Sequence, residues 1–140
     1  MHRPVPMADD LTRPYWEAAA RRELVIQRCA RCRRWIHLPA RTCENCYAVD
    51  LRFEPVRGRG TIAASVIARA QVAEGFESPF ACIAVELDEQ PGLIVVTNLL
   101  GAAPEDAAIG ERVRVCFEQL TDDAVLPQFE LERSVDVARP

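Results

Sequence analysis

Cys29-Ala30-Arg31-Cys32 and, ten residues later, Cys43-Glu44-Asn45-Cys46 are two CxxC pairs within one short segment. Four thiolates from two such pairs bind one zinc ion at the corners of a tetrahedron, about 2.3 Å from each sulfur. Ten residues are enough for a strand and its return, which would bring the two pairs together. We therefore predict one metal site formed by Cys29, Cys32, Cys43 and Cys46.

Two disulfides or two redox-active CxxC motifs are the alternatives to a metal site. Disulfide frameworks are typical of secreted chains. The first ten residues contain two prolines and two acidic residues where a signal peptide has an apolar stretch. The metal site is therefore favoured, with zinc or iron as the ion. Because four thiolates complete the coordination sphere of zinc, no position remains for water or substrate, and we expect a structural role.

The composition is typical of one small globular unit. The chain has 140 residues, of which 49% are hydrophobic, enough for one domain or two very small ones. Its longest apolar run, residues 93–100, is interrupted by Thr97 and Asn98 and is too short to cross a bilayer. We expect a cytoplasmic protein with a frayed N-terminal leader.

Charge is distributed unevenly along the chain. The formal net charge is −4, but residues 1–60 contain 12 arginines and 7 acidic residues, while residues 61–140 contain 5 arginines and 14 acidic residues. There is no lysine. Arginines crowd the cysteine segment, where a concentrated positive surface would attract phosphates or an acidic partner. An ordinary solvated charged face is the alternative.

The remaining pattern predicts a mainly β protein with one N-terminal helix. Capping residues and helix formers predict a helix over residues 9–23, in which Tyr15 and Trp16 lie near one face. These two aromatic side chains either pack on the rest of this chain or dock on another one. Residues 24–28 and 35–38 are β-prone and lead into the two CxxC pairs, so together they predict a ribbon.

Five further β-prone segments follow, at residues 51–54, 61–69, 80–87, 93–100 and 113–118. Five antiparallel strands in so short a chain predict a small closed barrel such as the OB-fold. The predicted organisation is a leader and helix at 1–23, a rubredoxin-like zinc ribbon at 24–50, a five-stranded OB-fold barrel at 51–130 and a tail at 131–140.

No catalytic set is visible in the sequence. Since His2 lies in the leader, His37 is the sole plausible imidazole base, and no serine has a nucleophile-elbow context. Cys82 and Cys116 lie in apolar strands, where free cysteines mostly act as small hydrophobes. The barrel segments are acidic and lack the aromatic platform of single-strand binders. A nucleic-acid-binding function therefore rests on the basic ribbon alone.

Several short motifs, in this order, resemble the DUF35 family over about residues 10–130. They are the Tyr-Trp pair in the helix, Glu-Leu-Val-Ile-Gln-Arg-Cys at 23–29, the second CxxC pair, Arg-Gly-Arg-Gly-Thr at 57–61, Val-Glu-Leu-Asp at 85–88, Ile-Gly at 109–110 and Leu-Pro at 126–127. Arg33 and Glu44 depart from the family pattern, which commonly has glycine and proline there.

The resemblance implies a zinc ribbon, an OB-fold barrel and an accessory role. Members of this family assemble with thiolase-like, ketosynthase-like or hydratase-fold subunits in acyl-CoA chemistry, including C-acylation of phenolic or polyketide-type substrates. The resemblance therefore implies a non-catalytic subunit of an acyltransferase complex, with a freestanding acyl-CoA carrier as the alternative. The candidate contacts to a partner or to the phosphates of coenzyme A are Tyr15, Trp16, Arg31, Arg33, Arg34 and Trp35.

Metal removal provides the first test. So small a ribbon has little core of its own, and a structural zinc supplies roughly 10–16 kcal/mol of apparent binding free energy. We predict that a strong chelator, or Cys43→Ser, unfolds residues 24–50 first, as measured by residue-resolved hydrogen exchange. A purified protein that contains neither zinc nor iron, and whose four thiols all react in the folded state, would contradict the metal site.

Overall fold

A computed structural model describes residues 3–133 of the chain. Over these residues the order of elements is one helix, three strands that form a small sheet, and five strands that form a closed barrel. No helix in the described part is long and apolar enough to cross a membrane. The architecture agrees with the predicted mainly β protein with an N-terminal helix, a ribbon and an OB-fold barrel.

Helix α1 spans Arg13–Ala20 and is shorter than the predicted residues 9–23. It is preceded by a turn, because the Asp9 carboxylate accepts hydrogen bonds from the backbone N–H groups of Leu11 and Thr12 at 3.0 and 2.8 Å. It ends where Arg22 adopts a positive φ of 63°, with the N–H of Glu23 donating back to the Ala18 carbonyl at 2.9 Å. This is the Schellman arrangement, with arginine in the position that glycine usually fills.

The ribbon is a three-stranded antiparallel sheet with β1 in the centre. Strand β1 spans Val25–Cys29, β2 spans Trp35–Ile36 and β3 spans Leu51–Pro55. The order is β2-β1-β3, with Gln27 opposite both Ile36 and Phe53. Both edges of β1 are therefore paired, and its C-terminal end carries the first cysteine of the metal site.

The barrel contains five strands in the order β4-β5-β6-β8-β7 and closes where β4 meets β7. The strands are β4 (Arg59–Ala68), β5 (Phe80–Leu87), β6 (Ile94–Leu100), β7 (Arg112–Thr121) and β8 (Ala124–Leu131). A short 3-10 helix, Pro104–Asp106, lies between β6 and β7. Strands β5 and β6 pair antiparallel and are joined by the short connection over residues 88–93.

Two strand assignments need correction. Residues 51–54, predicted as the first barrel strand, belong to the ribbon sheet, because Leu51–Pro55 pairs along its whole length with β1. The fifth barrel strand is instead Ala124–Leu131, which the sequence pattern did not identify. The expectation of purely antiparallel strands is also wrong at one seam, because β6 and β8 run parallel.

One hydrophobic core joins the ribbon to the barrel. Alternate residues of β5 point inward, so Ile83 and Val85 are fully buried together with Phe129 of β8. Leu24, Ile26 and Trp35 of the ribbon belong to this same buried cluster. The two parts are therefore packed against each other through apolar side chains.

The Gln128 side chain completes the parallel seam of the barrel. Only Leu99–Phe129 and Leu100–Glu130 pair directly between β6 and β8. Beyond them, the buried Gln128 Oε1 accepts hydrogen bonds from the backbone N–H of Asn98 at 2.8 Å and the hydroxyl of Thr97 at 2.6 Å. One amide side chain therefore replaces part of a backbone ladder.

Replacing Gln128 by leucine tests this seam. We predict that Gln128→Leu lowers the free energy of unfolding by roughly 1–3 kcal/mol. The substitution leaves the Asn98 N–H without its acceptor and the Thr97 hydroxyl with only longer contacts to backbone carbonyls, at 3.4 and 3.5 Å. Urea denaturation measures the change. Gln71→Leu, in an exposed loop, is the control, and a loss no greater than that of the control would show that the seam does not depend on this amide.

Candidate metal centre and docking surface

The two CxxC pairs fold into the same kind of turn. The backbone N–H of Arg33 donates to the Cys29 carbonyl at 2.9 Å, and that of Tyr47 donates to the Cys43 carbonyl at 2.8 Å. The residue that follows the second cysteine of each pair has a positive φ, 67° at Arg33 and 62° at Tyr47. Glycine adopts this conformation without a Cβ clash, yet arginine and tyrosine adopt it here with the same hydrogen bonds.

These turns bring the four sulfurs to the spacing that a tetrahedral ion requires. All four Sγ atoms lie within 4.8 Å of one another, with 3.6 Å between Cys29 and Cys46 and 3.7 Å between Cys32 and Cys43. A tetrahedron with metal–sulfur bonds of about 2.3 Å has sulfurs about 3.8 Å apart. The observed separations fit zinc with all four positions taken by protein.

N–H groups near Cys29 and Cys32 favour the thiolate form that a metal binds. The backbone N–H of Cys32 lies 3.4 Å from Cys29 Sγ, and this donor lowers the pKa of the Cys29 thiol. The side-chain amide of Asn45 is the largest cause that lowers the pKa of Cys32, to about 6. Cys29 and Cys43 are fully buried, whereas Cys32 and Cys46 are partly accessible. The centre therefore lies at the surface of the ribbon.

The three arginines predicted as partner contacts differ in whether they already form an ion pair within this chain. Arg33 donates to Glu54 Oε1 at 2.9 Å, and the same carboxylate lies 3.8 Å from Arg28. Arg31 and Arg34 are exposed, and neither has an ion-pair partner among residues 3–133. Of the three predicted arginines, only Arg31 and Arg34 therefore present an uncommitted charge to the surroundings.

Trp35, predicted as a docking residue, is a core residue. Only 8% of its surface is exposed. The guanidinium of Arg28 lies 4.3 Å from the centroid of the Trp35 ring. The backbone N–H of Trp35 donates to the side-chain oxygen of Gln90 at 2.9 Å, and the Trp35 carbonyl accepts from the side-chain nitrogen of Gln90 at 3.0 Å. Trp35 thus joins the ribbon to the β5–β6 hairpin and is not available to a partner.

Tyr15 and Trp16 line an apolar groove between α1, the segment after β2, and strand β6. The groove has a volume of about 180 Å³, and its other lining residues are Thr12, His37, Leu38, Pro39, Val95 and Val96. Burial raises the pKa of Tyr15 to about 12 and lowers the pKa of His37. Their rings lie 5.9 Å apart. Both groups are therefore uncharged at neutral pH.

Exposed apolar residues at this groove were not identified from the sequence. Leu38 is 77% exposed and Val96 is 69% exposed. Leu38 shares its β-prone run with the buried Trp35, and Val96 follows the buried Val95, so periodicity alone gave no signal of exposure. We call the groove formed by Tyr15, Trp16, Leu38 and Val96 the docking groove, after the role that we propose for it.

The two cysteines outside the metal centre are only partly accessible. Burial is the main cause that raises the pKa of Cys116 to about 12, and the carboxylates of Glu130 and Glu118 act in the same direction. Such a thiol remains protonated at neutral pH and is a poor nucleophile.

Comparison with protein families gives two matches that follow each other along the chain. Residues 16–52 match the rubredoxin-like zinc ribbon domain of ChsH2, and residues 53–118 match its C-terminal OB-fold domain. A curated relative, the probable enoyl-CoA hydratase alpha subunit of Thermomonospora curvata, is 35% identical over 127 residues. That match covers 91% of this chain and 39% of the relative, so the chain spans well under half of the relative's length.

Two solved structures are also similar. A chain of the Ltp2-ChsH2(DUF35) aldolase has 33% sequence identity and a TM-score of 0.84, covering 90% of this chain and 98% of that one. A DUF35 protein of unknown function from Sulfolobus solfataricus has the same fold with 8% identity and a TM-score of 0.62, covering 89% and 87% of the two chains. With both of its parts matched, this chain belongs to the DUF35 family, as a ChsH2-type protein with a zinc ribbon followed by an OB-fold.

Proposed function

We propose that this chain is a non-catalytic accessory subunit of a thiolase-like acyl-CoA enzyme. The observation that carries the proposal is the similarity, over almost the whole of its length, to the DUF35 chain of the Ltp2-ChsH2 aldolase. That protein is named for two components, and the relative from Thermomonospora curvata is named as one subunit of a hydratase. The two names specify different reactions, an aldolase and a hydratase. This difference favours a DUF35 part that is common to both enzymes and a catalytic part that differs between them.

The metal centre supports a structural task. Four sulfurs complete the coordination of zinc, so a metal bound there has no open position at which to activate water or polarise a carbonyl. Its effect is to hold two turns and strand β1 together. In this proposal, the nucleophile and the proton-transfer groups belong to the partner.

The docking groove is the surface that we propose for the partner. Leu38 and Val96 are highly exposed, and α1 contributes the Trp16 side chain beside them. Exposed apolar residues that adjoin a concave surface are typical of protein interfaces, where they become the desolvated centre.

Arg31 and Arg34 are proposed as further, charged contacts of this chain. Their uncommitted guanidinium groups would meet an acidic partner surface, or the phosphates of coenzyme A, through charge-assisted hydrogen bonds. The reaction that we propose for the assembled enzyme is acyl transfer, with C-acylation of a phenolic or polyketide-type acceptor as its finer form.

A freestanding acyl-CoA carrier is the second candidate. A cavity of about 280 Å³ on the barrel, lined by Phe76, Phe80 and Asn98 among others, favours it. Under this alternative the chain would bind acyl-CoA alone and would not require a catalytic subunit.

Co-expression with a thiolase-like protein from the same organism distinguishes the two functions. We predict a stable hetero-oligomer on gel filtration, acyl-CoA turnover by the complex, and none by this chain alone. Val96→Glu should weaken the complex about tenfold or more, because it buries a carboxylate in an apolar interface. Titration calorimetry measures the affinity.

The matched control is Val66→Glu on strand β4. Val66 is 67% exposed, against 69% for Val96, and does not line the groove. Equal weakening by both variants would contradict the docking groove while leaving the accessory role intact. Turnover by the isolated chain, or acyl-CoA binding without any complex with thiolase-like or hydratase-fold proteins, would contradict the accessory role itself.

A further inference from the structure

The segment before α1 lies against the barrel and is held at two points. Arg3 and Pro6 are partly buried, whereas the residues around them are exposed. Pro6 lines a small hollow of about 110 Å³ together with Trp16 of α1 and Val125 of β8. The segment over residues 3–8 therefore crosses from the helix to the side of the barrel, and we call it the N-terminal strap.

Arg3 is the charged attachment of the two. Its guanidinium lies 2.6 Å from Glu118 Oε1 on β7, and the two side chains are only 18% and 27% exposed. The same guanidinium lies 5.5 Å from the centroid of the Phe76 ring, which stacks on Phe80 at 5.6 Å. One side chain thus links β7 to the loop over residues 69–79, between β4 and β5. Partial burial makes such an ion pair less screened by solvent than an exposed one.

Glu118 also connects this attachment to the seam of the barrel. Its Oε1 accepts a hydrogen bond from Gln128 Nε2 at 3.1 Å. Gln128 is the residue whose other amide atom bonds to Thr97 and Asn98 of β6. Since this carboxylate is already positioned by the barrel, it offers a fixed point for Arg3.

The strap and the loop border the 280 Å³ cavity on the barrel surface. Arg3, Phe76 and Glu118 line it together with Phe80, Asn98 and Leu100 of strands β5 and β6. Arg3 therefore contacts both the loop, at Phe76, and strand β7, at Glu118. Without Arg3, the loop keeps the Phe76–Phe80 stack and the exposed Arg69–Glu105 ion pair at 3.6 Å.

We propose that the N-terminal strap is a latch that holds the 69–79 loop closed over this cavity, and that release of Arg3 opens it. The latch has two independent contacts on one guanidinium, the carboxylate of Glu118 and the face of Phe76. An ion pair and a cation–π contact at a partly buried site each stabilise a closed state modestly, so the closed and open forms are close enough in free energy to interconvert.

Hydrogen–deuterium exchange on the zinc-loaded full chain tests the latch. Arg3→Ala should accelerate exchange of the amides at 70–78 roughly five- to tenfold, with amides of the ribbon and of β6 unchanged. Glu118→Gln, which preserves size and the contact to Gln128, removes only the ion pair and should give a smaller acceleration. The double variant should match Arg3→Ala, because once Arg3 is absent the Glu118 substitution removes no further contact of the latch.

Arg13→Ala is the control, because Arg13 forms an exposed ion pair with Asp10 at 3.2 Å and does not reach the loop. It should leave exchange in the loop unchanged. Unaltered loop exchange in Arg3→Ala would overturn the proposal. So would an acceleration spread over the whole barrel, because the strap would then be a general stabilising element and not a latch on one loop.

Discussion

Coordination of one ion by four sulfurs fixes strand β1, and the rest of the structure depends on the position of that strand. Its last residue, Cys29, is a ligand, while Ile26 is fully buried in the core that the ribbon shares with the barrel. The same short strand therefore carries a metal ligand and apolar contacts to a β-barrel. A sheet of three short strands would otherwise have little buried apolar surface of its own. The metal replaces the missing core, and the shared apolar cluster orients the ribbon on the barrel.

Local sequence spacing was sufficient to identify the metal centre, because each CxxC pair is a single turn and both pairs lie within eighteen residues. Most of the strands were also identified, since alternating apolar residues mark a half-buried strand. Strand β8 was not, because Pro127 and Gln128 interrupt its alternation and proline is normally excluded from central strands. Here Gln128 is buried for its hydrogen bonds, which hydrophobic periodicity cannot report.

Tyr15 and Trp16 of the groove proposed for docking were predicted as partner contacts, but Leu38 and Val96 were not. The groove is assembled from α1, the segment around Leu38 and strand β6, which are far apart along the chain. Trp35 is the opposite case, a residue that the sequence suggested as exposed and that the fold buries. An aromatic residue beside metal ligands and arginines has the composition of a binding surface. Its burial follows from contacts with Arg28 and with Gln90, a residue 55 positions away. Tertiary packing decides which residues of a segment are exposed, and a single sequence does not contain that information in local form.

The place of β8 in the barrel has a consequence for the order in which the molecule folds. The ribbon is complete by Pro55, so it can take up its metal while later residues are still being synthesised on the ribosome. The barrel cannot close until residues 124–131 emerge, since β8 must insert between β6 and β7. During that interval the edge of β6 has no neighbour on one side, and an unpaired edge is a site for wrong pairing. An early-folded ribbon that already holds part of the common core would shorten the search that the nascent chain then has to make.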